Sequence, residues 1–262
     1  MPCVNEPGTP REQDLLGKAF MNLRPKAVVQ IEKVEKWFGR TNALEGITLT
    51  VRPGDFMVLL GRNGAGKSTL LRVMARMLKP NSGKVEICGF DVRHDPERVR
   101  QRLGFVAHSS YLYRHLTARE NLRFFARLYN LENIDQKIQE ALGWVGLEQS
   151  ADRQVLGFSR GMQQRLAIAR ATLHRPEILL MDEPFSGLDL EAAELLTQWM
   201  KSFVSAAKTI VMATHDLEQG LSGVNRWVFL EKGRIEKELT GDFQIIRERY
   251  KQFLRERKGE LS

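Results

Sequence analysis

The sequence predicts an α/β fold around a largely parallel sheet, and three observations carry that prediction. Short apolar runs alternate with stretches of helical spacing along most of the chain. One of those runs, "FMVLL" at 56–60, feeds directly into the glycine-rich "GRNGAGKST" at 61–69. Between 109 and about 160, strand signals give way to helical spacing.

The elements follow in order. Residues 1–25 hold four of the nine prolines and little periodicity, which reads as a flexible leader with Met21 as a second candidate start. From Ala27, "AVVQIEKV" and then "GITLTV" alternate apolar and polar residues and read as strands. "FMVLL" is continuously apolar, as a strand buried on both faces should be. "STLLRVMARML" reads as a helix closed by the "KPNSG" turn, and "KVEICG" as a further strand. "TARENLRFFARLYNL" and "IDQKIQEALGWVGL" are helical and make up an insertion over about 109–160. Alternation then resumes with a helix at 160–174, strand "EILLMD", a helix at 190–206, strand "TIVMAT", and "RWVFLEKGRI" folded at its Lys-Gly turn. In the basic tail, 241–262, Phe243, Ile246, Tyr250 and Phe253 recur at helical spacing among charges, the pattern of a docked amphipathic helix. The core unit therefore spans 26–240.

Composition narrows the classes. The chain has 262 residues, 42% of them hydrophobic, enough for a sizeable core. Its apolar runs fall far short of the roughly 20 residues a membrane-spanning helix needs. The N-terminus lacks the apolar segment of a secretory signal. Cys3 and Cys88 have no metal-ligand spacing, which fits a reducing compartment. The net charge of +8 is dispersed among glutamates, as on a solvated surface or one facing anionic lipid, and no nucleic-acid-reading motif accompanies it.

The chemistry begins at Gly61-x-x-x-x-Gly66-Lys67-Ser68, a complete phosphate-loop pattern between a strand and a helix. Gly61, Gly64 and Gly66 let the backbone curl so that N–H groups of the loop, Arg62, Asn63 and Ala65 included, point at phosphate oxygens. The helix beginning near Ser68 and Thr69 adds the positive end of its dipole. Lys67 would reach the β- and γ-phosphates, and Ser68 would ligate Mg²⁺. In "ILLMDEP", 178–184, a buried strand ends in two adjacent carboxylates. Neighbours on a strand point opposite ways, so Asp182 can hold Mg²⁺ while Glu183 polarises an attacking water. In "FSRGMQQR", 158–165, Ser159 and Gly161 open a helix and suit a phosphate oxygen, although Ser159 also fits a plain N-cap.

Together these motifs resemble the nucleotide-binding subunit of ABC transporters over residues 28–240. "GRNGAGKST" resembles Walker A, "ILLMDEP" Walker B, "FSRGMQ" the signature, "SGLD" at 186–189 the D-loop, and "ATHD" at 213–216 the switch-histidine segment. The resemblance implies a phosphate-loop NTPase core with a helical subdomain at about 109–160. It also implies a head-to-tail dimer in which each ATP lies between one chain's Walker A and the other's signature. Phe38 in "KWFG" would be the adenine platform, with Trp37 as the alternative and a core aromatic as the plain reading. Asp189 would lie at the dimer seam, and His215 would hydrogen-bond the γ-phosphate and hold the attacking water. Lys67, Glu183 and His215 would be the catalytic set.

Departures from the pattern are equally specific. His108 stands in "VAHSS" where the family usually has glutamine, offering one ring nitrogen instead of an amide oxygen to Mg²⁺ and water. Arg160 replaces a common glycine, and Met162 a glutamine, while Ser159 and Gly161 are kept. "FSRGMQQRLAIARATLHRPEILLMDEPFSGLD", "VAHSSYLYRHLTARENLRFFARLY" and "THDLEQGL" resemble the ATP-binding subunit of the cytochrome c maturation system, the haem exporter ATPase. That resemblance implies an ATP hydrolase using ATP and Mg²⁺, peripheral on the cytoplasmic membrane face. It would be paired with a second copy and with separate multi-span membrane subunits, and would not itself touch haem or nucleic acid. An exporter of drugs, lipids or polysaccharide and a soluble non-transport ABC protein are the other classes compatible with these motifs.

Overall fold

The computed structural model describes residues 27–216 and 222–241, together with Ile246 and Glu248. The leader at 1–25 lies outside them, as does the tail helix expected at 241–262 apart from Gly241, Ile246 and Glu248.

The strands divide into two sheets. A six-stranded sheet has the order β10-β9-β3-β8-β7-β6. Its members are β3 (Phe56–Leu60), β6 (Leu103–Val106), β7 (Ile178–Asp182), β8 (Thr209–Thr214), β9 (Arg226–Glu231) and β10 (Arg234–Thr240). All pairings are parallel except β9 with β10, the hairpin expected at Lys232-Gly233. The second sheet is antiparallel, in the order β2-β1-β4-β5. It comprises β1 (Val29–Phe38), β2 (Thr41–Val51), β4 (Ser82–Ile87) and β5 (Phe90–Asp91).

The six-stranded sheet is the largely parallel sheet expected from the sequence, and the antiparallel sheet stands beside it. The cause of the division is visible in the residues. Strands β3, β7 and β8 are buried at every position, as parallel strands covered on both faces must be. Strands β1 and β2 bury roughly alternate residues and leave the others to solvent. That alternation is the mark of a sheet with one wet face, and only an antiparallel sheet commonly tolerates one.

Two cores result, one on each side of the six-stranded sheet. On one side Met57, Leu59, Leu180, Val211 and Val228 pack with β1, β2, β4 and helix α1 (Lys67–Met74). On the other, Val58, Leu60, Leu179, Met181, Met212 and Trp227 pack with helices α3 (Ala118–Leu128), α4 (Ile134–Trp144), α5 (Arg160–Thr172) and α6 (Leu190–Ser205). Buried Ile246 joins this second core. Helix α2 (Pro96–Arg102) leads into β6.

Local signals set the helix ends. Helix α1 stops at Met74 rather than continuing to 78. Arg76 turns left-handed at φ +59, and the amides of Met77 and Leu78 return to the Arg72 carbonyl. Helix α3 begins with a reciprocal capping box: Thr117 accepts from the Glu120 amide, and Glu120 accepts from the Thr117 amide. Buried Asn121 then fixes the preceding loop by accepting from Tyr113 N–H and donating to the Tyr113 and Thr117 carbonyls. No described helix is long and apolar enough to cross a membrane.

His174, just beyond α5, ties the helical layer to the sheet. Its ring stacks on Tyr129 at 4.0 Å, and its Nε2 lies 3.2 Å from the Leu103 carbonyl. Burial lowers its pKa from 6.5 to about 4 despite the helpful backbone carbonyls, with Lys208 adding a small push the same way. The unfolded chain then binds a proton that the folded chain refuses, so stability falls as pH drops. Thermal melts should therefore show declining stability from pH 6.5 toward about 4. The decline should be smaller in His174→Gln; equal slopes in both chains would contradict this role.

Candidate active site

The parallel strands all run the same way, so their carboxyl ends meet along one edge of the sheet. That edge is where α/β folds place ligands. Strand β3 ends at Leu60 and delivers the loop 61–66; β7 ends at Asp182; β8 ends at Thr214, just before His215; β6 ends at Val106, two residues before His108. The sequence motifs are thus gathered by topology.

Close packing shapes the loop. A Cβ on Gly61 would lie 2.3 Å from the Leu230 carbonyl. Gly66, the N-cap of α1, has φ +103, and a Cβ there would lie 2.5 Å from the Ala43 carbonyl. No other residue type meets both demands at 66. The far side of the loop is braced by the β9–β10 turn: Gly233 N–H donates to the Ala65 carbonyl, and Glu45 N–H donates to the Gly233 carbonyl. Ala65 is buried, while Arg62, Asn63 and Gly64 are exposed and Ser68 and Thr69 partly so.

Lys67 is buried at the first position of α1. Its ammonium donates to the Gly61 carbonyl at 2.6 Å and to the Arg62 carbonyl at 3.2 Å. Burial pushes its pKa down, while the charges of Glu183 and then Asp182 push it up. A buried cation held by neutral carbonyls favours an anion beside it.

Ser68 and Asp182 meet directly. The Ser68 hydroxyl donates to Asp182 Oδ1 at 2.7 Å, joining α1 to the end of β7. A hydroxyl and a carboxylate are the hard oxygen donors that Mg²⁺ takes, with phosphate and water completing its shell, so the residues fit the metal expected here.

Glu183 corrects a detail of the sequence argument. It does not continue β7 and point opposite to Asp182 by strand alternation. It leaves the strand in a left-handed conformation at φ +52, and its amide donates to the Ala213 carbonyl. Non-glycine residues hold this conformation at a cost and are often found at functional sites. The turn aims the carboxylate at the end of β8. There Oε1 lies 2.9 Å from His215 Nδ1, and Oε2 accepts from the Thr214 hydroxyl at 3.2 Å. Thr214 was not among the residues singled out from the sequence, and only its place beside His215 hinted at it.

The remaining candidates sit on other elements. His108 is exposed beyond β6. Phe38 and Trp37 are 49% and 43% exposed, so neither is a core aromatic, and Lys36 Nζ lies 5.0 Å from the Phe38 ring centre. Ser159 is the exposed N-cap of α5 and accepts from Met162 N–H at 3.2 Å. Gly161 approaches the start of α6, where a Cβ would meet Ala192 at 3.2 Å. Asp189 caps α6 by accepting from Ala192 N–H at 2.8 Å.

A phosphate loop backed by a carboxylate pair and a histidine, on this two-sheet scaffold, defines an ATP-binding cassette. Residues 44–186 match the family described as ABC transporter, and the chain belongs to that family. It is an ATP-binding, ATP-hydrolysing protein. It is 36% identical to the ABC transporter ATP-binding protein NatA of Bacillus subtilis over 74% of this chain and 80% of that one. It is 37% identical to the Nod factor export ATP-binding protein I of Cupriavidus metallidurans, over 79% and 69%. With the sulfate/thiosulfate import ATP-binding protein CysA of Yersinia pseudotuberculosis it shares 36% identity, over 89% and 66%. Among solved structures it resembles the dimeric cassette MJ0796 bound to ADP and Pi, with a TM-score of 0.74 and 30% identity, over 81% of this chain and 98% of that one.

Lys67→Ala removes the buried cation without touching the loop's glycines. It should lower ATP affinity by ten-fold or more, roughly the loss of one charge-assisted phosphate contact. Titration with a fluorescent ATP analogue checks this, and unchanged affinity would remove Lys67 from the binding site.

Proposed function

We propose that this chain is the ATPase subunit of a membrane pump, bound at the cytoplasmic face, whose cycle serves the haem-handling step of cytochrome c maturation. The observation that carries the ATPase half of this reading is the division of the motifs between the two cores. The phosphate-loop helix α1 covers one face of the six-stranded sheet, and the signature helix α5 covers the other. Within one chain, Ser159 caps its own helix and does not complete the loop's site. A second copy, placed head to tail, would bring its Ser159 and Gly161 to the open side of the γ-phosphate and its Asp189 to the seam. The dimeric form of MJ0796 supports this arrangement.

The proposed roles combine this geometry with the family resemblance. The loop amides of 62–66 and Lys67 bind the phosphates; Ser68 and Asp182 would hold Mg²⁺, which when bound would offset phosphate charge. Phe38 stacks on the base. Glu183, backed by Thr214 and His215, takes the proton of the attacking water. His215 donates to the γ-phosphate once the Glu183 contact opens. His108, exposed just beyond β6, would sense the nucleotide.

Coupling needs a separate multi-span subunit, and the face over 108–128 suits one. Tyr111 and Tyr113 are 50% and 48% exposed on the loop held by Asn121. Behind them lies a cavity of about 280 Å³ lined by Met77, Arg100, Tyr111, Phe125, Tyr129 and Arg170. An aromatic groove of this kind takes the apolar side of a cytoplasmic helix. Residues 109–160, with α3 and α4, would move as a helical subdomain when the dimer closes.

The haem assignment rests on the stretches 106–129, 158–189 and 214–221 that resemble the haem exporter ATPase. A second reading, an exporter ATPase with another cargo, is favoured by the similarity to the Nod factor export ATP-binding proteins. Deleting the gene in its host and haem-staining denatured proteins separates the two. The haem reading predicts loss of covalently bound c-type cytochromes, restored by wild type and not by Glu183→Gln. Unchanged staining in a host that makes these cytochromes would overturn it and leave the exporter reading.

A further inference from the structure

Arg160 occupies the signature position where a glycine is common, and its side chain does not simply extend into water. Its Nε donates to the Ser186 carbonyl at 2.8 Å, and its Nη2 lies 3.4 Å from the Ser186 hydroxyl. Gly187 follows at φ +72, and a Cβ there would come within 2.6 Å of the Arg160 Nε. The glycine therefore leaves room for the guanidinium. One residue further along α5, Gly161 meets Ala192, whose amide donates to Asp189. The signature is thus docked on the turn 186–189 through Arg160 and lies close to the first turn of α6 at Gly161.

That turn is also tied to the main chain of the residue that carries the hydrolytic carboxylate. Ser186 N–H donates to the Glu183 carbonyl at 3.1 Å, and the Glu183 carboxylate faces His215. Three hydrogen bonds, joined through the main chain of Ser186 and Glu183, thus connect Arg160 to His215. A planar guanidinium holds its acceptor in a fixed direction, so displacement of Arg160 is transmitted to the turn rather than absorbed.

We propose that Arg160 is a positioning residue that links the two ATP sites of a dimer, carrying nucleotide occupancy at one site to the hydrolytic turn of the other. The inference rests on the head-to-tail reading above. In such a pair, a chain's Ser159 and Gly161 meet the nucleotide held by the second copy, whereas its Glu183 acts on the nucleotide in its own loop. Arg160 stands between the two. Engagement of the signature pulls on Ser186, and through it on the strained turn at Glu183. The coupling is reciprocal, because each chain carries the same link.

The test uses the full chain as wild type, Arg160→Ala and Arg160→Lys, with ATP hydrolysis followed against ATP concentration. In parallel, each is combined with Glu183→Gln to measure ATP-induced pairing by light scattering. The wild type should hydrolyse cooperatively, with a Hill coefficient between one and the two-site ceiling. Arg160→Ala should fall to about 1 while its pairing midpoint stays within roughly two-fold. Arg160→Lys, which keeps a donor, should recover part of the cooperativity. A merely structural side chain would change pairing or stability and leave the Hill coefficient alone. Cooperativity unchanged in Arg160→Ala, or absent from the wild type, overturns the role. Failure of the Glu183→Gln chain to pair in ATP overturns the head-to-tail reading and this inference with it. A pair that forms while Arg160→Ala keeps full cooperativity overturns the inference alone.

Discussion

The hydrogen bond from Ser68 to Asp182 is the contact on which the rest of the site depends. It joins the first turn of the phosphate-loop helix to the end of a buried strand two places away in the sheet. Its length follows from the pairing of β3 with β8 and of β8 with β7, which is parallel and in register. Three fully buried strands therefore deliver loop, carboxylates and histidine to one edge with no freedom to slide. A one-residue slip would turn Met57, Leu59, Leu180 and Val211 from one core into the other. The apolar runs set the site's geometry as firmly as the polar residues set its chemistry.

The same scaffold keeps part of the site away. With α1 in one core and α5 in the other, a single chain would, on the proposed reading, hold phosphate on one side only. Lys67 meanwhile rests on the Gly61 and Arg62 carbonyls, which an incoming phosphate would replace. Glu183 engages His215 in the same way. Lys67 and Glu183 thus both have internal partners, and in the proposed pair ATP would have to displace them. On that proposal, binding and closure would be linked, and hydrolysis would have a mechanical consequence for a membrane partner.

Much of this was legible in the residues. The run "FMVLL" announced a doubly covered strand, the glycine spacing announced the loop, and the spacing of "TARENLRFFARLYNL" announced a helix. The second sheet was also written in the sequence, in the alternation of β1 and β2, but alternation does not say which strands pair. Other features had no local signal. The left-handed turn at Glu183 depends on its hydrogen bond to Ala213, a residue thirty positions on. The bracing of Ala65 by Gly233 joins segments from opposite ends of the chain. Such contacts are products of packing, and only the folded chain reveals them.

The central claim is that one chain carries half of each ATP site, and mixing two defective chains tests it most directly. One chain carries Lys67→Ala and the other Ser159→Phe, both in a Glu183→Gln background so that bound ATP persists. Neither should retain ATP in a stable pair alone. Their mixture should, because an intact loop from one chain then faces an intact signature from the other. One ATP retained per mixed pair is the predicted result. Retention by the Ser159→Phe chain alone, or none by the mixture, would contradict the account.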